Sequence, residues 1–187
     1  LAIQNLGATM VINDSIKNVL RNFAKYKPNA LMLVPLYVET MYKKIWSEID
    51  KKGQRKTVRA AMKMSDALLK VGVDIRRKIF KDIIDAFGGR LVKIICGGAR
   101  LDPSLIPTFD SFGIAIYEGF GITECSPLVA VTPYYKRKCG SVGPAVPCCQ
   151  IRIDGKGKND LGFIEGEIQV KGDNVMLGYY ENEEETE

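Results

Sequence analysis

Tyr117-Glu118-Gly119-Phe120-Gly121-Ile122-Thr123-Glu124-Cys125-Ser126-Pro127 follows a short apolar run, Ile114-Ala115-Ile116-Tyr117. The run reads as a buried strand that ends in a glycine-rich turn. Two glycines flanking an aromatic let backbone approach a planar ligand closely, because neither carries a Cβ. The ring offers a face for stacking a base. The hydroxyl and carboxylate that follow suit a phosphate oxygen and the hard cation that travels with phosphates. The same letters without a ligand describe a tight strand exit. A second glycine-rich turn, Cys96-Gly97-Gly98-Ala99-Arg100-Leu101, closes another apolar strand, Leu91 to Cys96. Two adjacent parallel strands place both turns at one sheet edge, and open α/β sheets bind ligands outside the carboxyl ends of their strands.

Working outward, the first half alternates strand and helix signals. Gly7 to Ile12 reads as a strand. Asp14 or Ser15 can cap a helix with Ile16, Val19, Leu20 and Phe23 on one face, ended by Pro28. Ala30-Leu31-Met32-Leu33-Val34 is a continuous apolar run, as in a strand buried on both faces. After Pro35, helical spacing returns at Val38, Met41, Tyr42, Ile45, Trp46 and Ile49. Lys51 to Phe87 is helical with a break at Gly72. Ile75, Ile79, Phe80, Ile83 and Phe87 form its apolar face, Arg76, Arg77, Lys78 and Lys81 the wet one, and Gly88-Gly89 stops it. Asp102 and Pro103 start a helix that Gly113 terminates. Beyond Pro127, short apolar pieces (Leu128 to Val131, Cys149 to Ile153, Phe163 to Val170) alternate with Gly, Pro and Asp, and Asp154-Gly155-Lys156-Gly157 reads as a hairpin connection. The expected fold class is α/β, a mostly parallel sheet flanked by helices over residues 1–130, followed by part of a small antiparallel β-barrel over residues 131–187.

Composition narrows the functional classes. The 187 residues carry 46% hydrophobic and 26% charged residues, ordinary for a globular chain. No run of about 18 apolar residues predicts a membrane span. The chain has no histidine, which excludes a Ser-His triad or a His general base within it. Its five cysteines, Cys96, Cys125, Cys139, Cys148 and Cys149, are odd in number and hold no C-x-x-C pair. Reduced thiols and a cytoplasmic setting fit better than a disulfide framework, and zinc at Cys139, Cys148 and Cys149 is disfavoured because adjacent cysteines alternate faces of a strand. The net charge is +5, concentrated between Lys51 and Lys81, where eleven Lys and Arg face only Asp66 and Asp74. Such a strip suits a polyanion or peripheral contact with an anionic membrane, but is more often the wet face of helices; lacking interleaved aromatics, it predicts no nucleic acid partner.

The two turns, with Gly140-Ser141-Val142-Gly143-Pro144 and Gly166-Glu167-Ile168-Gln169-Val170-Lys171-Gly172 running on to Gly178-Tyr179-Tyr180, resemble in order the four motifs of the adenylate-forming (AMP-binding) enzymes. The resemblance covers Cys96 to about Tyr180. The long basic helical passage before it looks most like the long-chain fatty-acid–CoA ligases, with an aryl or medium-chain acid–CoA ligase as the alternative within this chemistry. A noncatalytic polyanion-binding module is the alternative from another class. The resemblance implies ATP, Mg²⁺ and coenzyme A as cofactors and co-substrates, and a fatty acid as substrate.

Carried over by motif position, the resemblance implies that Phe120, where tyrosine is commoner, lies against adenine. Gly97, Gly98 and Ala99 would line its other side with backbone. Glu118, Gly119, Gly121 and Ile122 would border the nucleotide, Thr123 would hydrogen-bond the α-phosphate, and Glu124 would hold Mg²⁺; Thr123 and Glu124 are thus the expected catalytic pair. Val34, Pro35, Tyr117, Gly119 and Gly121 would line the acyl chain. The family's phosphate loop is expected before Leu1, and its ribose-gripping aspartate and C-terminal lysine after Glu187. The chain by itself is therefore expected to be inactive in ATP–pyrophosphate exchange. The motifs carry no measure of acyl length or of oligomeric state.

Overall fold

A computed structural model of the chain describes residues 7–155 and 157–186. Lys156 of the expected 154–157 connection and the side chain of Ile16 lie outside the described residues. In chain order, a 3-10 turn (Ile16–Asn18) leads into α1 (Val19–Tyr26), followed by β1 (Ala30–Leu33), α2 (Pro35–Lys51), α3 (Arg55–Lys70), α4 (Arg76–Ile79) and α5 (Lys81–Ala86). Then come β2 (Lys93–Cys96), α6 (Ile106–Ser111), β3 (Ala115–Gly121), β4 (Leu128–Val131), β5 (Cys149–Asp154) and β6 (Glu167–Gly172).

Four strands form one sheet in the order β1-β2-β3-β4. Val92 donates to the Asn29 carbonyl at 2.9 Å where β1 and β2 begin, and Gly97 donates to the Leu33 carbonyl at 3.3 Å where they end, so the two run parallel. The Ala115 amide reaches the Val92 carbonyl at 2.9 Å, start to start. β4 turns back antiparallel along β3, and β5 and β6 form a separate antiparallel hairpin paired from Cys149↔Gly172 to Asp154↔Glu167. The mostly parallel sheet flanked by helices is as expected, Leu128–Val131 joins it as its antiparallel fourth strand, and an antiparallel hairpin stands in the region expected to be part of a β-barrel.

Three expectations are corrected. Residues 8–13 form no strand, and Met10, Val11 and Ile12 are exposed, because no neighbouring strand among the described residues pairs with them. β1 is half-buried rather than sealed on both faces, with Met32 66% exposed. Arg76 and Arg77 are not a wet face. The Arg76 guanidinium donates to the Asp110 carbonyl at 2.9 Å, and that of Arg77 to the Leu91 and Gly89 carbonyls at 2.7 and 3.0 Å.

The described chain falls into two compact units. The first comprises the described part of Leu1–Leu31 with Thr40–Ile94 and Leu105–Ala115. Rings dominate its interior: Phe109 and Phe112 are fully buried, Phe80 meets Phe112 edge-on at 5.0 Å, and Phe23 meets Phe87 at 5.9 Å. The sharp stop predicted at Gly88-Gly89 is real, both residues lying at positive φ. A Cβ on Gly88 would sit 2.4 Å from the Phe23 carbonyl oxygen. The second unit comprises Met32–Glu39, Ile95–Ser104 and Ile116–Glu187. One buried cluster of it gathers Cys125, Val129 and Cys149 with Phe120, Ala145, Val146, Ile151 and Val170 against them, and Val38, Cys96, Leu101 and Ile116 are buried as well. The carboxyl ends of β1, β2 and β3, and every residue expected in the site, belong to this second unit.

Candidate functional site

β3 runs four residues further than its apolar letters suggest. Glu118-Gly119-Phe120-Gly121 is strand, not turn, because β4 pairs with it at Gly119↔Val131, Phe120↔Ala130 and Gly121↔Leu128. The reversal comes at Ile122 and the 3-10 turn Thr123–Cys125, closed by Ser126 in the left-handed region. The glycines serve close backbone approach. A Cβ on Gly121 would lie 2.0 Å from the Pro127 carbonyl oxygen, and one on Gly97 would lie 3.1 Å from that of Gly119. Gly98, at φ +84, would bring a Cβ to 3.7 Å from Val34. The ends of β1, β2 and β3 therefore converge at Val34, Gly97, Gly98 and Gly119, as expected of neighbouring parallel strands.

The side chains around this edge divide sharply. Glu118 turns inward: it is only 8% exposed, and its carboxylate accepts the Gly140 amide at 3.2 Å. Burial raises its pKa, and burial pushes the neighbouring Cys96 thiol up to about 11, Glu118 adding to the effect. Through this contact the Gly140–Pro144 motif is tied to β3, reinforced by Thr132, which donates its amide to the Glu118 carbonyl and its hydroxyl to that of Ser141. Arg137 donates to the Ile116 carbonyl at 3.2 Å and places its guanidinium 5.8 Å from the centre of the half-buried Tyr117 ring. Phe120 is half-buried, one side against the Cys125, Val129 and Cys149 cluster. Pro35 is buried as the first residue of α2, while Val34 and Ala99 are exposed.

Ile122 and Thr123 are exposed, and the Thr123 hydroxyl has no hydrogen-bond partner among the described residues. Glu124 is half-exposed and held from a distance of 55 residues. The Tyr179 hydroxyl donates to its Oε1 at 2.7 Å, and the Met176 amide donates to its carbonyl at 2.7 Å. The phenol bond holds the Glu124 carboxyl below its ordinary range and raises the Tyr179 hydroxyl. Nothing local in the sequence announces this pairing; Gly178-Tyr179-Tyr180 was legible as a motif but without a partner. Gly140 was likewise legible within its motif but without its Glu118 partner, and Arg137 was missed for the same reason.

The donor set can be tested against a hard cation. Among the described residues no three His, Cys, Asp or Glu side chains cluster around a metal position. That excludes a protein-built cage there but fits Mg²⁺, which prefers one or two carboxylates completed by phosphate oxygens and water. Glu124, with Oε2 uncommitted beside the free Thr123 hydroxyl, has that character.

A strand-end edge lined by glycine backbone, with hydroxyl and carboxylate on the following turn, defines an α/β domain with its ligand edge at the carboxyl ends of the strands. Comparison with known proteins is more specific: the profile of the AMP-binding enzyme family matches residues 1–180, and the chain belongs to that family. It is 28% identical to the long-chain-fatty-acid–CoA ligase FadD15 of Mycobacterium bovis over 95% of the chain and 30% of that protein. It is 31% identical to long-chain-fatty-acid–CoA ligase 6 of Rattus norvegicus over 86% of the chain and 24% of that protein. The 2-succinylbenzoate–CoA ligase of Bacillus cytotoxicus matches at 31% over 61% of the chain and 25% of that protein. The chain thus spans under a third of the length of these relatives. Among solved structures, the adenylation domain of a Mycobacterium chelonae carboxylate reductase superposes with a TM-score of 0.69 at 21% identity, covering 94% of the chain and 25% of that structure. A carboxylic acid reductase didomain from Segniliparus rugosus, in complex with AMP, gives 0.64 at 23% identity over 94% of the chain and 22% of that structure. Both likenesses concern the fold.

Proposed function

We propose that the chain is the central part of an ATP-dependent acid–CoA ligase acting on long-chain fatty acids. In this reading residues 1–130 belong to the α/β subdomain and 131–187 to a β-barrel subdomain. The observation that carries it is the convergence of Gly97-Gly98 and Gly119 from two strands, with Thr123 and Glu124 on the turn that follows. In the first half-reaction a carboxylate oxygen attacks the α-phosphorus of ATP and pyrophosphate leaves. In the second the coenzyme A sulfur attacks the acyl carbon and AMP leaves with the bridging oxygen. Two anions must be held in line against their repulsion, so alignment and fixed dipoles do most of the work.

Each residue then has a physical task. The exposed side of Phe120 stacks on adenine, and the backbone of Gly97, Gly98 and Ala99 approaches the other face. Gly119, Gly121 and Ile122 border the nucleotide; Glu118, buried against Gly140, shapes that border from beneath rather than by touching it. Thr123 donates its unpartnered hydroxyl to an α-phosphate oxygen. Glu124 holds Mg²⁺, which when bound neutralises phosphate charge. Val34, Pro35, Tyr117, Gly119 and Gly121 line the acyl path. Unpaired cysteines agree with a cytoplasmic setting. Among the described residues no helix is long and apolar enough to cross a membrane.

Fatty-acid ligases among the relatives favour the long-chain substrate, whereas the succinylbenzoate relative favours an aryl acid as the second reading. ATP–pyrophosphate exchange by the intact protein, with a panel of long-chain, medium-chain and aryl acids, decides between them. Exchange driven best by long-chain acids is expected. Preference for benzoates overturns the fatty-acid assignment. No exchange with any acid, together with salt-sensitive, ATP-indifferent binding to polyanions, overturns the ligase reading in favour of a binding module.

A further inference from the structure

Glu124 is not a freely swinging surface acid. The segment after β6 lies across the Thr123–Cys125 turn through three long-range hydrogen bonds. Asn174 donates its side-chain amide to the Leu128 carbonyl at 2.9 Å, Met176 its backbone amide to the Glu124 carbonyl at 2.7 Å, and Tyr179 its hydroxyl to Glu124 Oε1 at 2.7 Å. The first two anchor the segment on the backbone carbonyls of Leu128 and Glu124, without the Glu124 side chain. The third differs in kind, since it takes one oxygen of a solvent-reached carboxylate and leaves the other open.

Resting on the functional reading above, we propose that Tyr179 is a positioning residue that orients Glu124 toward the nucleotide-bound cation. A carboxylate with two equivalent oxygens and three side-chain torsions visits many orientations in water, and holding it in one costs entropy. A phenol donor on a separate, docked segment sets that orientation before the cation arrives. With Oε1 engaged by the phenol, Oε2 is the oxygen left open, and Glu124 would offer it to a bound cation. Mg²⁺ favours this arrangement because its small octahedral shell tolerates chelation by a single carboxylate poorly. Tyr179 is 44% exposed and Glu124 is reached by solvent, so the bond adds little to folding. Its effect falls on geometry, where outer partners of metal ligands typically matter 10–100-fold in affinity. The adjacent Tyr180 is 91% exposed and makes no such contact among the described residues, so it serves as an internal control.

The test uses the intact protein and titrates Mn²⁺ as a paramagnetic stand-in for Mg²⁺, in the presence of a non-hydrolysable ATP analogue, with bound metal read by electron paramagnetic resonance. Tyr179→Phe is expected to weaken Mn²⁺ binding about tenfold, with thermal midpoint and metal-free analogue binding unchanged. Tyr180→Phe should do nothing. Glu124→Gln is expected to weaken Mn²⁺ binding more strongly. In Glu124→Gln, adding Tyr179→Phe should have no further effect, since the phenol acts through that carboxylate. Mn²⁺ affinity untouched by Glu124→Gln overturns the assignment of Glu124 and with it the functional reading. A large effect of Glu124→Gln with none from Tyr179→Phe overturns the positioning role alone. So does an additive loss in the double variant, or a loss in Tyr179→Phe that tracks its thermal midpoint.

Discussion

In the first unit, arginines serve backbone carbonyls: Arg76 reaches Asp110, and Arg77 reaches Leu91 and Gly89. In the second, Arg137 does the same for Ile116, and buried or half-buried acids also take distant donors, Glu118 the Gly140 amide and Glu124 the Tyr179 hydroxyl. The first unit packs aromatic rings and uses cationic stems to stitch helix ends and strand starts. The second buries none of its rings fully, and its strand ends close by glycine against backbone. A ring-filled core resists change through volume, whereas a glycine-lined edge resists it through contact distance. The latter holds shape where a ligand needs bare backbone, and leaves its polar groups to be oriented from afar.

The sharpest way to break this contrast is Phe109→Ala in the first unit against Phe120→Ala in the second. Phe109 is fully buried, so its truncation is expected to cost about 3–5 kcal/mol, read by urea unfolding. The half-buried Phe120 should cost only about 1–2 kcal/mol. Equal losses would mean that the second unit depends on rings after all. Next, Gly121→Ala drives a methyl into the Pro127 carbonyl and should destabilise by about 1–3 kcal/mol. Gly119→Ala, whose Cβ would sit an ordinary 3.5 Å from Ala130, should be nearly silent in the same urea unfolding. Arg77→Met keeps the apolar stem but strands the Leu91 and Gly89 carbonyls, an expected loss of about 1–3 kcal/mol by denaturant titration.

The smallest effect concerns Glu118. Its folded pKa is raised by burial above the 4.5 of a free glutamate, so the native state keeps the proton longer than the unfolded chain. The stability this confers is complete below pH 4.5 and is lost as pH rises through the folded value. Glu118→Gln, which can still accept from Gly140, should therefore match the parent in acid and melt slightly higher at pH 8. A variant less stable at pH 8 would show that the charge is wanted.

Much of the α/β layer was legible because its signals are local. Ala30 to Val34, Leu91 to Cys96 and Ile114 to Tyr117 are apolar runs bounded by Pro35, Gly97 and Gly119, and helical spacing carries through α2 and α3. The two glycine turns were legible as motifs, and their convergence followed from parallel neighbours. What escaped was long-range or cooperative. The extension of β3 to Gly121 depends on β4 arriving antiparallel, and the inward turn of Glu118 depends on an amide 22 residues away. Arg76 and Arg77 read as a solvated stripe because carbonyl partners leave no periodic trace. Gly7 to Ile12 has strand letters but no strand beside it, and propensity alone does not make a ladder.

The register of β4 carries a last consequence. Phe120 faces Ala130 while Gly121 faces Leu128, so Val129 is an extra residue, and both Val129 and Ala130 are buried where regular alternation would bury one. The extra residue within Leu128–Ala130 is therefore set by geometry rather than by composition. An insertion or deletion here would rotate one of the two side chains into water and drag the Thr123-Glu124 turn with it, whereas substitutions of like size would pass. Chain length in this one hairpin is under stricter constraint than chemistry.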